Sequence, residues 1–197
     1  AVVLDGVNDY VSIPDSPTLD ATSGVTVELW AKRTKNAAYQ VLAGKPGDGQ
    51  SKNENYAIWF DSSNRLQAYF GNGTTYASAA WGTPVDNGWH HIAATYDNAT
   101  VRLYVDGVQR VQSTSTVALT PNALALHLGR AASSQYYFGG SLDEVAVYGA
   151  VVSASRIQAH FAASPFTGSG GGGGAAAGTI TTTFDSRGQV TAVTYGD

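Results

Sequence analysis

Apolar and polar residues alternate strictly along much of this chain. The alternation runs through Val25–Ala31, Tyr56–Phe60, Arg65–Phe70, Trp89–Tyr96, Val101–Val105 and Leu124–Leu128. A period of two sends successive side chains to opposite faces, so each run predicts a strand with one face in a core. Turn residues separate the runs: Asp5-Gly6, Pro46-Gly47-Asp48-Gly49, Asn72-Gly73, Asn87-Gly88 and Asp106-Gly107. The last stands between Leu103-Tyr104-Val105 and Val108-Gln109-Arg110 and predicts a β-hairpin. One short helix is predicted, with Ser153 as its cap and Ile157, His160 and Phe161 on one face. Residues 1–163 therefore read as a single all-β unit closed by one helix.

The alternation also sorts the faces. Val27, Leu29, Ile58, Phe60, Leu66, Phe70, Ile92 and Leu103 fall on the core side, while Trp30, Trp59, Tyr69, His91, Tyr104 and His127 fall on the other. Outward rings of this kind either form a platform on which sugars stack or fill a second layer beneath covering segments.

Beyond residue 163 the composition changes. Residues 164–178 contain five consecutive glycines, then Ala175-Ala176-Ala177-Gly178, and read as a flexible linker. Residues 179–197 are rich in Thr and Val, and Asp185-Ser186-Arg187-Gly188 predicts a turn between two short strands. A lone hairpin is marginal in water, so this tail needs a partner.

Only 13% of the 197 residues are charged, about half the usual share, and the net charge is −4. The 11 Lys and Arg form no cluster, which argues against nucleic-acid binding. No apolar run reaches the roughly 20 residues of a membrane span. The absence of Cys excludes disulfides and thiolate metal sites. No Met occurs, and the opening Ala1-Val2-Val3-Leu4-Asp5 lacks a charged leader, so a processed or excised segment of a longer precursor is expected.

Two segments resemble the laminin-G-like family of concanavalin A-like jelly rolls in its bacterial form. The first is Leu4-Asp5-Gly6-Val7-Asn8-Asp9-Tyr10-Val11-Ser12-Ile13-Pro14 with the strand from Val25 to Trp30. The second is Gly88-Trp89-His90-His91-Ile92-Ala93-Ala94-Thr95-Tyr96 with Leu103-Tyr104-Val105-Asp106-Gly107. Gly140-Ser141-Leu142-Asp143-Glu144-Val145-Ala146-Val147-Tyr148 and a short helix match the family's last strand and exit. The resemblance implies a two-sheet antiparallel jelly-roll sandwich and a secreted or cell-surface location. It also implies a structural calcium ion tying the first strand to the last, with Asp5 and Asp143 at the matching positions and Asn8 and Asp9 as nearby options. Without calcium, Asp5 builds a turn and Asp143 caps a buried network. The tail, Phe184 to Tyr195, resembles one YD repeat of Rhs-type shell proteins, on Phe184, Asp185, Arg187, Gly188 and Tyr195.

Catalytic constellations are not legible. Glycosidases need two carboxylates flanking the scissile bond, about 5 Å apart in retaining enzymes. Here Glu28 stands alone, and the adjacent Asp143 and Glu144 point to opposite faces of a strand. No Gly-x-Ser-x-Gly elbow or His-Glu-x-x-His helix occurs, and His90-His91 adjacency turns the two rings apart. Specificity is expected in loops, where binding residues concentrate. Thr74-Thr75-Tyr76 with Trp81, and Ser133 to Phe138 with Tyr136 and Tyr137, are aromatic, polar and uncharged. The long polar segment from Pro46 to Asn55 also suits a recognition edge.

Two function classes follow. One is a non-catalytic adhesion or carbohydrate-binding module of a larger secreted protein, taking a polysaccharide or cell-surface glycan through Tyr76, Trp81, Tyr136 and Tyr137. The other is a structural subunit of an extracellular filament or shell, whose tail adds strands to another copy of the same chain.

Overall fold

The strands predicted by alternation form, and they assemble as two stacked layers. The computed structural model describes residues 1–45, 55–131, 134–163, 180–184 and 190–195. In chain order the elements are β1 (Val2–Asp5), β2 (Val11–Ile13), β3 (Val25–Arg33), β4 (Gln40–Lys45), β5 (Tyr56–Phe60), β6 (Arg65–Gly71) and β7 (Tyr76–Pro84). Then come β8 (Trp89–Tyr96), β9 (Thr100–Val105), β10 (Val108–Thr114), β11 (Leu126–Leu128), β12 (Gly139–Tyr148), the helix α1 (Ala154–Ala163), β13 (Ile180–Phe184) and β14 (Val190–Tyr195). The first sheet has the order β1-β12-β3-β8-β9-β10, and the second β2-β11-β4-β5-β6-β7. All neighbours pair antiparallel, giving the expected all-β sandwich.

The inner faces meet in one core. Val25, Val27 and Leu29 of β3, with Ile92 of β8 and Leu103 of β9, come from the first sheet. Ile58 and Phe60 of β5, with Leu66 and Phe70 of β6, come from the second. Alternation misses β4, because all six of its residues are buried and a bulge between Val41 and Ala43 interrupts the period. Its last residue, Lys45, is fully buried; its ammonium lies 2.6 Å from Asp15 Oδ1 and also bonds Asp20. A buried cation is tolerated only with such partners.

The expectation of a loop around Thr74 to Trp81 needs correction. Asn72 Oδ1 accepts the N–H groups of Thr74 and Thr75, closing a tight turn. Tyr76 then pairs with Gly71, so Tyr76 and Trp81 both lie on β7.

Helix α1 covers the outer face of the first sheet. Ile157 is buried against Ala93 and Tyr104, and Phe161 stacks on Trp30 at 5.8 Å between centroids. His160 Nδ1 lies 2.8 Å from Glu28 Oε1, a carboxylate oxygen that also accepts from Tyr148 Oη. The turn between β9 and β10 sits directly beneath: Asp106 and Gly107 have φ of +55° and +71°, as a type I′ turn requires. A Cβ on Gly107 would stand 3.2 Å from Gln158 Cα, so glycine is needed there for both backbone and space. Among the described residues no helix is long and apolar enough to cross a membrane.

In the tail, β13 and β14 pair antiparallel from Ile180↔Tyr195 inward, the hairpin read from the sequence. The linker and the turn bearing Asp185, Arg187 and Gly188 lie outside the described residues, as do the side chains of Phe184 and Tyr195.

Two predictions follow from this packing. Ile157→Ala removes the buried anchor of α1 and should cost about 2–5 kcal/mol of unfolding free energy in denaturant titration. The second concerns His90, whose ring nitrogens lie 2.9 Å from Asp106 Oδ2 and Asp86 Oδ1. The bond to Asp106, with that to Asp86, holds this imidazole above its ordinary pKa although burial opposes it. Its contribution is therefore complete below about pH 6.5, the unfolded value, and is lost as pH rises through the higher folded value. Stability measured from pH 6 to 9 should fall for the native chain, and this component of the slope should vanish in His90→Gln.

Candidate functional site

The outer face of the second sheet carries a different surface. Trp59 of β5 is outward because Ile58 and Phe60 point to the core, and Tyr69 of β6 is outward between Ala68 and Phe70. Their rings meet edge-on at 5.1 Å. Tyr76, at the start of β7, continues the row at 5.1 Å from Tyr69. On the other side, Tyr39 lies 5.6 Å from Trp59, and Tyr136 packs 5.7 Å from Tyr39 and 6.3 Å from Trp59. Five rings thus form a continuous row across the sheet. Its rim is open: Tyr39 is 44% and Tyr76 43% exposed, while Trp59 at 7% forms the floor.

Tyr136 reaches the row through an unusual backbone. Its φ is +57°, and that of Ser134 is also +57°, a region that bulky residues rarely occupy. Four bonds hold the segment: Val41 N–H donates to Tyr136 O, Ala131 N–H to Gln135 O, Ser134 N–H to Ala131 O and Phe138 N–H to Gly129 O. Strain maintained in this way is concentrated at ligand clamps and switch regions.

Polar groups border the rings. Tyr69 Oη donates to Gln67 Oε1 at 2.7 Å, and Gln67 Nε2 donates to Asp61 Oδ2 at 3.0 Å. Burial raises the pKa of Asp61, but bonds from the Arg65 backbone and guanidinium, Ser63 N–H and Gln67 outweigh it and hold the carboxyl below its usual range. Asp61 is thus a fixed anion committed to internal donors. It positions Gln67 and Tyr69.

At the opposite end of the face stands a basic group. The Arg130 guanidinium lies over the Tyr10 ring at 3.7 Å, and Tyr10 meets His127 edge-on at 5.9 Å. Arg130 Nη1 donates to Ser134 Oγ at 2.8 Å, and Nη2 stands 3.5 Å from His127 Nε2. Burial and the Arg130 charge lower the His127 pKa, so this ring is neutral at pH 7. Arg130 follows β11, whose neighbour β4 pairs in turn with β5, the strand of Trp59. Two strand spacings, about 10 Å, therefore separate Arg130 from the floor of the ring row. Trp59 Nε1, His127 Nδ1 and Arg130 Nε are buried without a hydrogen-bond partner.

The face assignments made from alternation hold, but the two sheets use them differently. Trp30, His91 and Tyr104 lie under α1, whereas Trp59, Tyr69 and His127 face away from it. Of the four residues expected to bind ligand, the structure brings Tyr76 and Tyr136 into one row. Trp81 lies five residues beyond Tyr76 on the same strand, hence on the opposite face. There it packs against the core, with the Arg110 guanidinium over its ring at 5.2 Å. Tyr137 is half-buried and makes none of the ring contacts of the row. Tyr10, Tyr39 and Arg130 escape sequence reasoning because they stand just outside strands, where alternation assigns no face. The segment 46–54 lies outside the described residues.

Asp5 and Asp143 are not brought together. Asp5 pairs with Gly139, four residues from Asp143 on the same ladder, so the two are about 13 Å apart and cannot share an ion bound at 2.3–2.6 Å. Asp5 Oδ1 accepts the N–H groups of Val7, Asn8 and Asp9, while Asp143 Oδ2 lies 3.0 Å from the Ala1 amine. These residues do not fit a single bridging calcium ion. No cluster of three His, Asp or Glu suited to a metal occurs among the described residues.

A family model described as the concanavalin A-like lectin/glucanases superfamily matches residues 5–158. No curated protein matches by sequence. Among solved structures, the chain is similar to domain 4 of AbnA, an extracellular GH43 arabinanase of Geobacillus stearothermophilus solved with arabinotriose. The identity is 20%, over 80% of this chain and 74% of that one, with a TM-score of 0.64. The CBM40 of the Ruminococcus gnavus IT-sialidase, bound to α2,3-sialyllactose, gives 17% identity over 79% and 99%, with a TM-score of 0.59. The ligand-binding domain of botulinum neurotoxin serotype D, in complex with N-acetylneuraminic acid, gives 11% identity and a TM-score of 0.62; the match covers 78% of this chain but only 40% of that one. Identities at this level establish the fold alone.

Asp5→Ala should lower the unfolding midpoint by freeing three backbone donors. The decrease should be equal in millimolar calcium and in EDTA. A larger decrease in calcium would restore the ion to this site.

Proposed function

The chain belongs to the concanavalin A-like lectin/glucanases superfamily, and from that premise we propose that it is a non-catalytic carbohydrate-binding module of an extracellular protein. The row of rings from Tyr136 through Trp59 to Tyr76 carries this reading. Flat aromatic faces match the apolar faces of sugar rings, and Gln67, with Ser78 of β7 opposite Tyr69, supplies hydrogen bonds to hydroxyls. The fold is consistent with the role, since domains of the same architecture have been solved with arabinotriose, sialyllactose and N-acetylneuraminic acid. No catalytic step is assigned to the described carboxylates. Asp61 is held by Arg65 and Gln67, and Glu28 accepts from Tyr148 beside His160 under α1.

The tail favours a second reading, a subunit of an extracellular assembly that joins to another copy. The pair β13–β14 is too small to be stable alone, and β14 approaches β2, the open edge strand of the second sheet. Strand addition at such an edge is a general mode of assembly.

One set of measurements separates these readings. On a glycan array the chain should bind a defined subset of oligosaccharides, and Tyr39→Ala or Tyr76→Ala should each weaken binding by about 2- to 12-fold without shifting the unfolding midpoint. Removing residues 168–197 should leave that binding intact. An array without hits, together with loss of self-association on the same truncation, would replace the glycan module with the assembly subunit.

A further inference from the structure

We propose that the ring row takes an acidic glycan, whose carboxylate is seated by Arg130 and His127 at the Tyr10 end of the face. This inference rests on the carbohydrate-binding reading and specifies its ligand class.

The chemistry of the unpartnered atoms points to the ligand. Arginine has no acceptor, so its contact with His127 makes Nε2 of the neutral ring the acceptor and leaves the proton on Nδ1. The indole Nε1 and the guanidinium Nε are donors as well. All three unpartnered atoms on this face therefore offer N–H groups, beside a permanent cation. The unpartnered atoms on the face under α1 are mixed: Glu28 Oε2 is an acceptor facing His91 Nε2 at 3.8 Å, and His91 Nδ1 and Thr95 Oγ1 are unpartnered with it. Unpartnered donors recognise acceptors, and a buried one costs about 1–3 kcal/mol until a partner arrives.

The guanidinium is held ready for an anion. Its face rests on Tyr10, Nη1 is fixed by Ser134, and Nε remains free. No carboxylate among the described residues forms a salt bridge with it. Arginine suits carboxylates because its planar fork matches two oxygens, and such bonds are about twice as strong as neutral ones. Nε is buried in the free protein, so seating a carboxylate on that edge requires the 43% exposed Tyr10 ring to turn aside, a motion open to a surface side chain. The separation of about 10 Å between Arg130 and Trp59 then lets the neighbouring sugar lie on the rings of Trp59, Tyr39 and Tyr136.

Carboxylates occur in sialic acids and in uronic acids, and the test separates the two. Calorimetric titrations of the full chain would compare 3′-sialyllactose with lactose, and trigalacturonate with its carboxyl-reduced neutral counterpart. At least one acidic member should bind about 10-fold or more tightly than its neutral partner, with the preference declining as salt is raised. Arg130→Gln should erase that preference while retaining the neutral affinity, and Arg130→Lys should recover only part of it. Equal affinity within both pairs would overturn the acidic ligand and leave the carbohydrate module standing. Binding of neither pair, with an empty glycan array, would overturn both. Unfolding midpoints of the Arg130 variants, measured alongside, identify a loss of fold, in which case Ser134→Ala, which frees Nη1, carries the same comparison with a smaller expected loss of preference.

Discussion

A two-layer sandwich buries only the faces its sheets turn toward each other. Every large ring on an outward face must then be covered by another element or remain at the surface. That constraint organises this molecule. In the first sheet the outward residues are Thr26, Glu28 and Trp30 of β3, with His91 and Ala93 of β8, and α1 is laid over them. The helix is anchored at three kinds of contact: Ile157 by burial, Phe161 by stacking on Trp30 and His160 by its bond to Glu28. The chain has only one α-helix among the described residues, so the second sheet receives no such cover. Its outward rings cover one another, and the row they form has an open rim.

The same constraint explains how polar groups are distributed. Lys45 is buried at the end of β4, yet it is paired with Asp15 and Asp20 from the segment following β2. Asp61 is nearly buried and accepts four bonds at the end of β5. These groups are satisfied internally and serve the fold. Around Trp59, His127 and Arg130 the donors are not satisfied internally, although the backbone there is ordered by Val41, Gly129 and Ala131. Arg33 Nη1 and Asn55 Oδ1 are also unpartnered, but the other atoms of those side chains bond within the fold.

Much of this architecture was legible because it follows from a period of two. The bounds of β5 and β8 coincide with the alternating runs, and the outward positions of Trp59, Tyr69 and His127 were assigned from the same rule. The rule fails where its premise fails. In β4 a bulge and burial on both faces remove the alternation, so the strand supporting Tyr136 and Arg130 carried no signal. In β7 the run of Ala, Ser, Gly and Thr is weakly patterned, which made Tyr76 and Trp81 look like partners in one loop when strand geometry sets them on opposite faces. Asp5 and Asp143 were matched through strands that do pair, but the register, which sequence does not reveal, sets them four residues apart. What sequence lacked throughout was which ring meets which across strands.

A row of rings can serve packing alone, and the competing account of this face is that it does. Packing alone favours Phe or Leu, which fill the same space without a polar atom to desolvate. Here three positions on one face carry an indole, an imidazole and a guanidinium, each with a buried unpaired donor. At about 1–3 kcal/mol apiece such donors weigh heavily against a net stability of only about 5–15 kcal/mol. Tyr136 adds a left-handed backbone that a packing role would place on glycine or asparagine. The covered face of the first sheet is closed by a helix and stacked rings; it too keeps unpartnered atoms, Glu28 Oε2, His91 Nδ1 and Thr95 Oγ1, but there an acceptor stands among donors. The open face departs from that pattern at Trp59, Tyr136, His127 and Arg130 together, and these are the residues that a ligand with acceptor oxygens and flat apolar faces would satisfy.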